Sequence, residues 1–383
     1  MKRLFILLLA LFLVFTMVSC DNFWSSSSSS SNNNGGGTDN GGNGGSGDGG
    51  GSASTPDYLC FAATGASTIA MALTGTVTPL PALEYSKDGS TWTAFEIGTT
   101  TVDLADGEKV YFRGDNTAFA SVADNYVKFV MTGSIAASGN IMSLLDKKCA
   151  SKTIPADNCF KLLFWSCNSL TSAPELPATT LTTGCYASMF QGCTSLTTAP
   201  ELPATTLADA CYAGMFNGCI SLTTAPELPA NTLTEGCYAS MFNNCSSLAA
   251  SPDLPSTTLA DDCYTSMFAG CTSLTSAPEL PATALAVRCY MNMFYHCENL
   301  TTAPELPATT LVDECYAVMF NGCSGLTSIR VHFTDWNDAE YSTKNWVNGV
   351  SATGTFYYKS GSSLDTSTGI NRVPEHFTPS ATL

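Results

Sequence analysis

Cysteine pairs begin at residues 159, 185, 211, 237, 263, 289 and 315, a fixed period of 26. The third copy reads CYAGMFNGCISLTTAPELPANTLTEG, and the seventh decays after Leu326. No other feature restricts the fold so strongly. A single 26-residue unit cannot bury its own apolar side chains, so copies must stack into one continuous core. On a wheel of 100° per residue, Cys185, Tyr186, Met189, Phe190 and Cys193 occupy one arc and Ala187, Ser188, Gln191 and Gly192 the other. That pattern predicts a short amphipathic helix over 185–193, with Gly192 and its counterparts Gly218, Gly270 and Gly322 at the positive-φ terminating position. Leu196, Ala199 and Leu202 then recur every third residue. Pro200 and Pro203 cannot donate to a ladder, so at most a very short strand is expected there, flanked by polyproline-like turns.

The chain before the repeats differs. Short alternating or apolar runs such as Thr68-Ile-Ala-Met-Ala-Leu, Lys109-Val-Tyr-Phe-Arg and Tyr126-Val-Lys-Phe-Val-Met are separated by turn signals at Lys87-Asp88-Gly89, Ala105-Asp106-Gly107 and Gly114-Asp115-Asn116. Strands at this spacing predict an antiparallel β-sandwich over 56–148. Ser86-Lys-Asp-Gly-Ser-Thr-Trp92 is expected to be a hairpin turn with a packed tryptophan.

Upstream, two basic residues precede an apolar run from Leu4 to Phe15, which ends at Met17-Val18-Ser19-Cys20. The run is shorter than the ~20 residues a bilayer span needs, so residues 1–19 form a secretory leader. The small residue followed by cysteine resembles the lipobox of bacterial lipoproteins, and that resemblance implies cleavage before Cys20 and lipid on its thiol. Residues 20–55, rich in Ser, Asn and Gly, have almost nothing apolar to bury and read as a flexible tether. The formal charge is −17, and loss of Lys2 and Arg3 with the leader would make it two units more negative. Such a chain has no means to neutralise a phosphate backbone, so nucleic acid is excluded as a partner.

The period lies within the 20–29 residues of leucine-rich repeats. The repeats resemble the bacterial surface leucine-rich repeats of the BspA type, also described from treponemes, through an aromatic-x-x-Cys-x-x-Leu core seen here as Phe190-Gln-Gly-Cys193-Thr-Ser-Leu196. The expected fold class is an α/β leucine-rich-repeat solenoid of 26-residue repeats (149–326), preceded by an all-β sandwich-like domain. Residues 327–383, with Trp346-Val-Asn-Gly-Val350 and Gly354-Thr-Phe356, read as a terminal cap over the open end. The resemblance implies adhesion to host or neighbouring-cell proteins.

Several constellations are candidate sites. Cysteines eight residues apart would lie about 12 Å apart along a helix, beyond the ~7 Å reach of a disulfide, so buried thiols packing as small apolar residues are expected. One carboxylate recurs per repeat: Glu175, Glu201, Glu227, Asp253, Glu279 and Glu305. At ~5 Å spacing in water each neighbouring pair repels by about 0.8 kcal/mol. The bland expectation is a solvated stripe, the sharper one a surface for a basic partner or loosely held Ca²⁺. Repeat six departs from the others: Arg288, Met291, Asn292, Tyr295 and His296 stand where other copies mostly have small residues, through drift or as a local contact site. The tyrosines at 186, 212, 238, 264, 290 and 316 fall inside the apolar arc and should be core. Neither a zinc site, a cofactor site nor a catalytic constellation is legible. The functional expectation is a non-enzymatic, lipid-anchored protein of the cell envelope, on its outer surface, contacting a host or bacterial surface protein through the repeats. The competing expectation is a glycan-capturing lipoprotein that uses the N-terminal β-domain.

Overall fold

The computed structural model describes residues 57–382 apart from 123, 337, 338 and 363. The leader, Cys20 and all of the tether therefore lie outside the described residues. The chain is β-rich: fourteen strands fall into three sheets, and a single four-residue α-helix, Ala339–Ser342, is found among the described residues.

The first nine strands are β1 (Leu59–Ala63), β2 (Ser67–Thr74), β3 (Leu83–Ser86), β4 (Thr93–Phe95), β5 (Thr101–Leu104), β6 (Lys109–Gly114), β7 (Ala120–Val122), β8 (Asn125–Thr132) and β9 (Ile135–Ser138). Strict alternation puts Val110 and Phe112 of β6, and Val102 and Leu104 of β5, into the interior. With β10 (Leu170–Ser172) added at one edge, the strands make two sheets, in the orders β10-β9-β1-β6-β3-β4 and β5-β2-β8-β7. Phe129 on β8 meets Phe61 on β1 at 5.1 Å and Phe112 on β6 at 5.5 Å between ring centroids, so the two sheets share an aromatic core. The β3–β4 hairpin is closed by Asp88, whose carboxylate accepts from the backbone N–H groups of Ser90 and Thr91, and Trp92 packs edge-on against Tyr58.

The helix expected over 185–193 is not formed. Its backbone is a run of turns in which alternate N–H groups bond in two directions. Cys185, Ala187, Met189, Gln191 and Cys193 each donate three residues back, to Thr182, Gly184, Tyr186, Ser188 and Phe190. The N–H groups between them donate to the next repeat: Gly184 to Asp209, Tyr186 to Cys211, Ser188 to Ala213, Phe190 to Met215 and Gly192 to Asn217, at 2.7–3.0 Å. An α-helix would keep all these bonds inside one repeat. Here every second one joins neighbouring copies.

The geometry requires positive φ at every fourth residue, seen at Gly184 (60°), Ser188 (53°) and Gly192 (73°) and repeated in the later copies. Gly192 thus occupies the left-handed region as expected, but as one of a series rather than as a helix end. Each non-glycine residue placed there costs roughly 1–2 kcal/mol. That cost is of the order of the ~0.5–1.5 kcal/mol net gain of the inter-repeat hydrogen bond that the geometry makes possible, so packing must decide the outcome.

Packing does so through two columns of rings. Phe164, Phe190, Phe216, Phe242, Phe268, Phe294 and Phe320 lie face to face at 5.3–5.8 Å with planes within 8°. The tyrosines from 186 to 316 form a parallel column at 5.9–6.0 Å. All six tyrosines are at most 2% exposed, as core residues should be.

Neither column stops at the boundary suggested by the sequence. Phe129 stacks on Phe164 at 5.1 Å and Phe119 on Phe160 at 6.0 Å. Backbone hydrogen bonds run from Phe119 to Cys159, Phe129 to Leu163 and Ile135 to Ser169. The short strand β10 (Leu170–Ser172) pairs in parallel with β9. One hydrophobic cluster therefore runs through both regions.

At the other end, Tyr316, Val318, Phe320 and Gly322 donate to Ser342, Lys344, Trp346 and Asn348, and Gly349 lies against Gly322. Residues 342–349 are an eighth turn ladder, shifted by one residue from the 26-residue period, with the fully buried Trp346 closing the ring columns. The strand segments stay short, as the prolines demand, with isolated parallel bridges such as Thr198 to Thr224 and Thr224 to Ala250. Only the final copies lengthen into a parallel sheet of β11 (Thr302–Leu306), β12 (Ser328–Val331), β13 (Gly354–Tyr358) and β14 (Phe377–Ser380).

Candidate functional site

The six carboxylates of the ladder, Glu175 to Glu305, are all exposed, each between a buried or half-buried proline and a buried leucine. Register continues the row past both ends. Asn140 bridges Glu175 on one side and Tyr58 on the other, and the β1–β6 and β3–β6 pairings lead from there to Arg113 and Glu84. At the far end Glu305 lies opposite Arg330, which lies opposite Tyr357. Each terminal arginine rests on a ring: Arg113 lies 3.9 Å from the Trp92 centroid and Arg330 lies 4.3 Å from that of Tyr357. Glu305 is also bound by His332, Nε2 to Oε1 at 2.5 Å. The ladder is therefore an acidic stripe with cations at both ends. Among the described residues no group of three or more His, Cys, Asp or Glu side chains is placed to hold a metal ion.

In repeat six, Tyr295 and His296 are exposed, with rings perpendicular at 4.4 Å, while Met291 and Asn292 are half-buried. His296 lies so close over Gly322 that a Cβ there would come within 2.7 Å of the imidazole. Arg288 does not face solvent as a free cation. Its guanidinium donates to both Asp262 oxygens at 2.9 and 3.0 Å, and Glu314 lies 3.9 Å away. It joins repeats five, six and seven and keeps 21% of its side chain exposed. Arg288, Asn292 and His296 all have positive φ, so this copy carries no glycine at its three left-handed positions.

A second acidic row escaped the sequence reading. Asp209, Glu235 and Asp261 lie in register two residues before the cysteines of successive repeats, where Gly184, Ala210 and Gly236 donate to their backbone carbonyls. Burial raises the carboxyls of Asp209 and Glu235, and for Glu235 the neighbouring acids add to the shift. The signal was present as an acidic residue at 157, 209, 235, 261 and 313, but Thr183 and Val287 interrupt it.

The cysteines of the repeats are free and buried. In the second ladder each thiol donates to a phenylalanine carbonyl of the preceding unit: Cys193 to Phe164, Cys219 to Phe190, Cys245 to Phe216 and Cys271 to Phe242, all at 3.1 Å. Burial pushes the thiols of Cys185, Cys219 and Cys237 up to about 12. Such groups are neutral donors rather than nucleophiles.

No family model, curated protein or solved structure matches the chain. Among the described residues no helix is long and apolar enough to cross a membrane.

Proposed function

We propose that this chain is a lipid-anchored surface protein whose 26-residue units form a leucine-rich-repeat solenoid of the BspA type, a scaffold for protein contact rather than for catalysis. The observation that carries the reading is the pair of ring columns ending at Trp346, which holds every repeat in one register and so turns each outward position into a row. A surface made of repeated rows suits an extended partner, and the acidic stripe favours one of basic character. The ladder thiols and phenols, such as those of Cys193 and Tyr212, are held neutral by burial and serve packing.

The competing glycan reading loses support from Trp92, since the Arg113 guanidinium covers one face of the ring that would otherwise stack on a sugar. Deleting the N-terminal sheets would not separate the two readings, because it would strip the cover from Phe160 and Phe164. Point variants are the cleaner route.

The first experiment is protease shaving of intact cells, with Cys20→Ala as the comparison. The expected result is loss of the chain from whole cells and release of the Cys20→Ala form into the medium. Protection from protease would place the protein inside the envelope and end the adhesin reading. On a surface-displayed chain, replacing the six ladder carboxylates by amides is expected to weaken attachment to host cells by tenfold or more. Trp92→Ala is expected to leave attachment unchanged, and the reverse pattern would favour the glycan reading.

A further inference from the structure

Two positions of the repeat that mostly carry threonine differ in their surroundings. In the first, at Thr171, Thr197, Thr223 and Thr327, the hydroxyl donates to a backbone carbonyl of the preceding unit. The second is the pair that follows Leu-Pro-Ala, as in Leu176-Pro-Ala-Thr-Thr-Leu181. This hexapeptide recurs at 202–207 and 306–311, with one change each at 228–233 (Asn231), 254–259 (Ser256) and 280–285 (Ala284). Threonine thus occupies each position of the pair in five of six copies. Every residue of the pair is exposed, and among the described residues none of these threonine hydroxyls has a hydrogen-bond partner.

Other half-buried or exposed positions of the same units have diverged. The position of Thr183 becomes Asp209, Glu235, Asp261, Val287 and Asp313, and that of Thr194 becomes Ile220, Ser246, Thr272, Glu298 and Ser324. The pair is kept while these two positions drift. The backbone does not demand the hydroxyl. The parallel bridges Thr153 to Thr180 and Thr232 to Thr258 need only an extended backbone, which valine adopts as readily as threonine. The proline two or three residues before each hydroxyl fixes φ and holds the segment extended, so one short acceptor sequence is presented six times in the same conformation. Threonine beside proline on an exposed, extended segment is the composition of O-glycosylated stalks.

We propose that the Leu-Pro-Ala-Thr-Thr-Leu loops are acceptor sites for O-linked glycosylation. In the reaction a threonine Oγ attacks the anomeric carbon of a sugar carried on a phosphoester donor. The carbon–oxygen bond to phosphate breaks, the glycosidic bond forms, and the hydroxyl proton passes to a base of the transferase; nothing is oxidised or reduced. The inference goes beyond the adhesion reading and does not depend on it.

The test is intact-mass measurement of the protein purified from the cells that make it, with fragmentation that retains side-chain modifications. Whole-sugar mass increments localised to the six loops are the expected result. A parallel chain with Thr180→Val and its nine counterparts should lose those increments while keeping its circular dichroism spectrum and melting temperature. Unmodified loop peptides in the native protein would overturn the proposal, and so would sugars found only on the serine run at 25–31. Should the valine chain fail to fold, site localisation on the native protein decides alone.

Discussion

The N-terminal sheets and the repeat stack use the same rings in different ways. Around Phe129, rings from β1, β6 and β8 meet edge to face at 5.1–5.7 Å, a three-dimensional core held by antiparallel ladders. From Phe164 onward the same column becomes parallel plates, each touching only the plate before and after. Antiparallel strands satisfy their backbone within one sheet, whereas the turn ladders leave every second N–H for the neighbouring copy. A repeat is therefore incomplete without its neighbours, and the N-terminal sheets supply the first of them. Phe119 and Phe129 act as the rings of a unit that precedes the first recognisable repeat.

Three measurements would break or sharpen this comparison. The largest effect is expected in alkali. A thiol with a pKa near 9.0 in the unfolded chain and about 12 in the folded one keeps its proton in the native state while the unfolded state loses it. Its contribution is fully present below pH ~9 and is lost as pH rises toward 12, at about 1.4 kcal/mol per pH unit for each thiol. With cysteine ladders running the length of the stack, the melting temperature should collapse between pH 9 and 10.5. Because the N-terminal sheets share the core of the stack, their near-UV circular dichroism should be lost in the same step. A melting temperature flat to pH 10.5 would contradict the buried ladders.

Next in size is the junction. Phe164→Ala should cost roughly 3–5 kcal/mol by urea unfolding. If the two regions share one core, unfolding should remain a single transition in which both report the loss. Two separate transitions, with the N-terminal one unaffected, would restore the independent domains that the sequence suggests.

The smallest effect concerns repeat six. Gly322→Ala places a Cβ at positive φ and against the His296 ring, so a loss above the ~1–2 kcal/mol conformational cost is expected. Adding His296→Ser should recover the steric part and leave the conformational part, as in the first repeats where Ser166 faces Gly192. Equal losses with and without His296 would show that the contact carries no energy.

Much of this arrangement was legible. The period, the buried tyrosines and thiols, the short strands and the exposed acids all follow from which residues recur and at what offset. The helix was misread because Cys-Tyr, Met-Phe and Cys, spaced by four, fall on one arc at 3.6 residues per turn as readily as on two lines at 4.0. Nine residues are too few to tell these periods apart. A finer signal was present in the small residues Gly184, Ser188 and Gly192, also spaced by four, which mark the left-handed positions.

Sequence alone determined that this chain stacks identical units, because an apolar arc repeated every 26 residues has no other way to leave water. It also determined which side chains line the rows. Tertiary structure decided the direction of the backbone hydrogen bonds, the pairing of Arg288 with Asp262, and the fusion of the N-terminal sheets to the first repeat. Each of these joins residues from separate copies or from segments that share no motif. Their energy depends on a partner in space that no local pattern names.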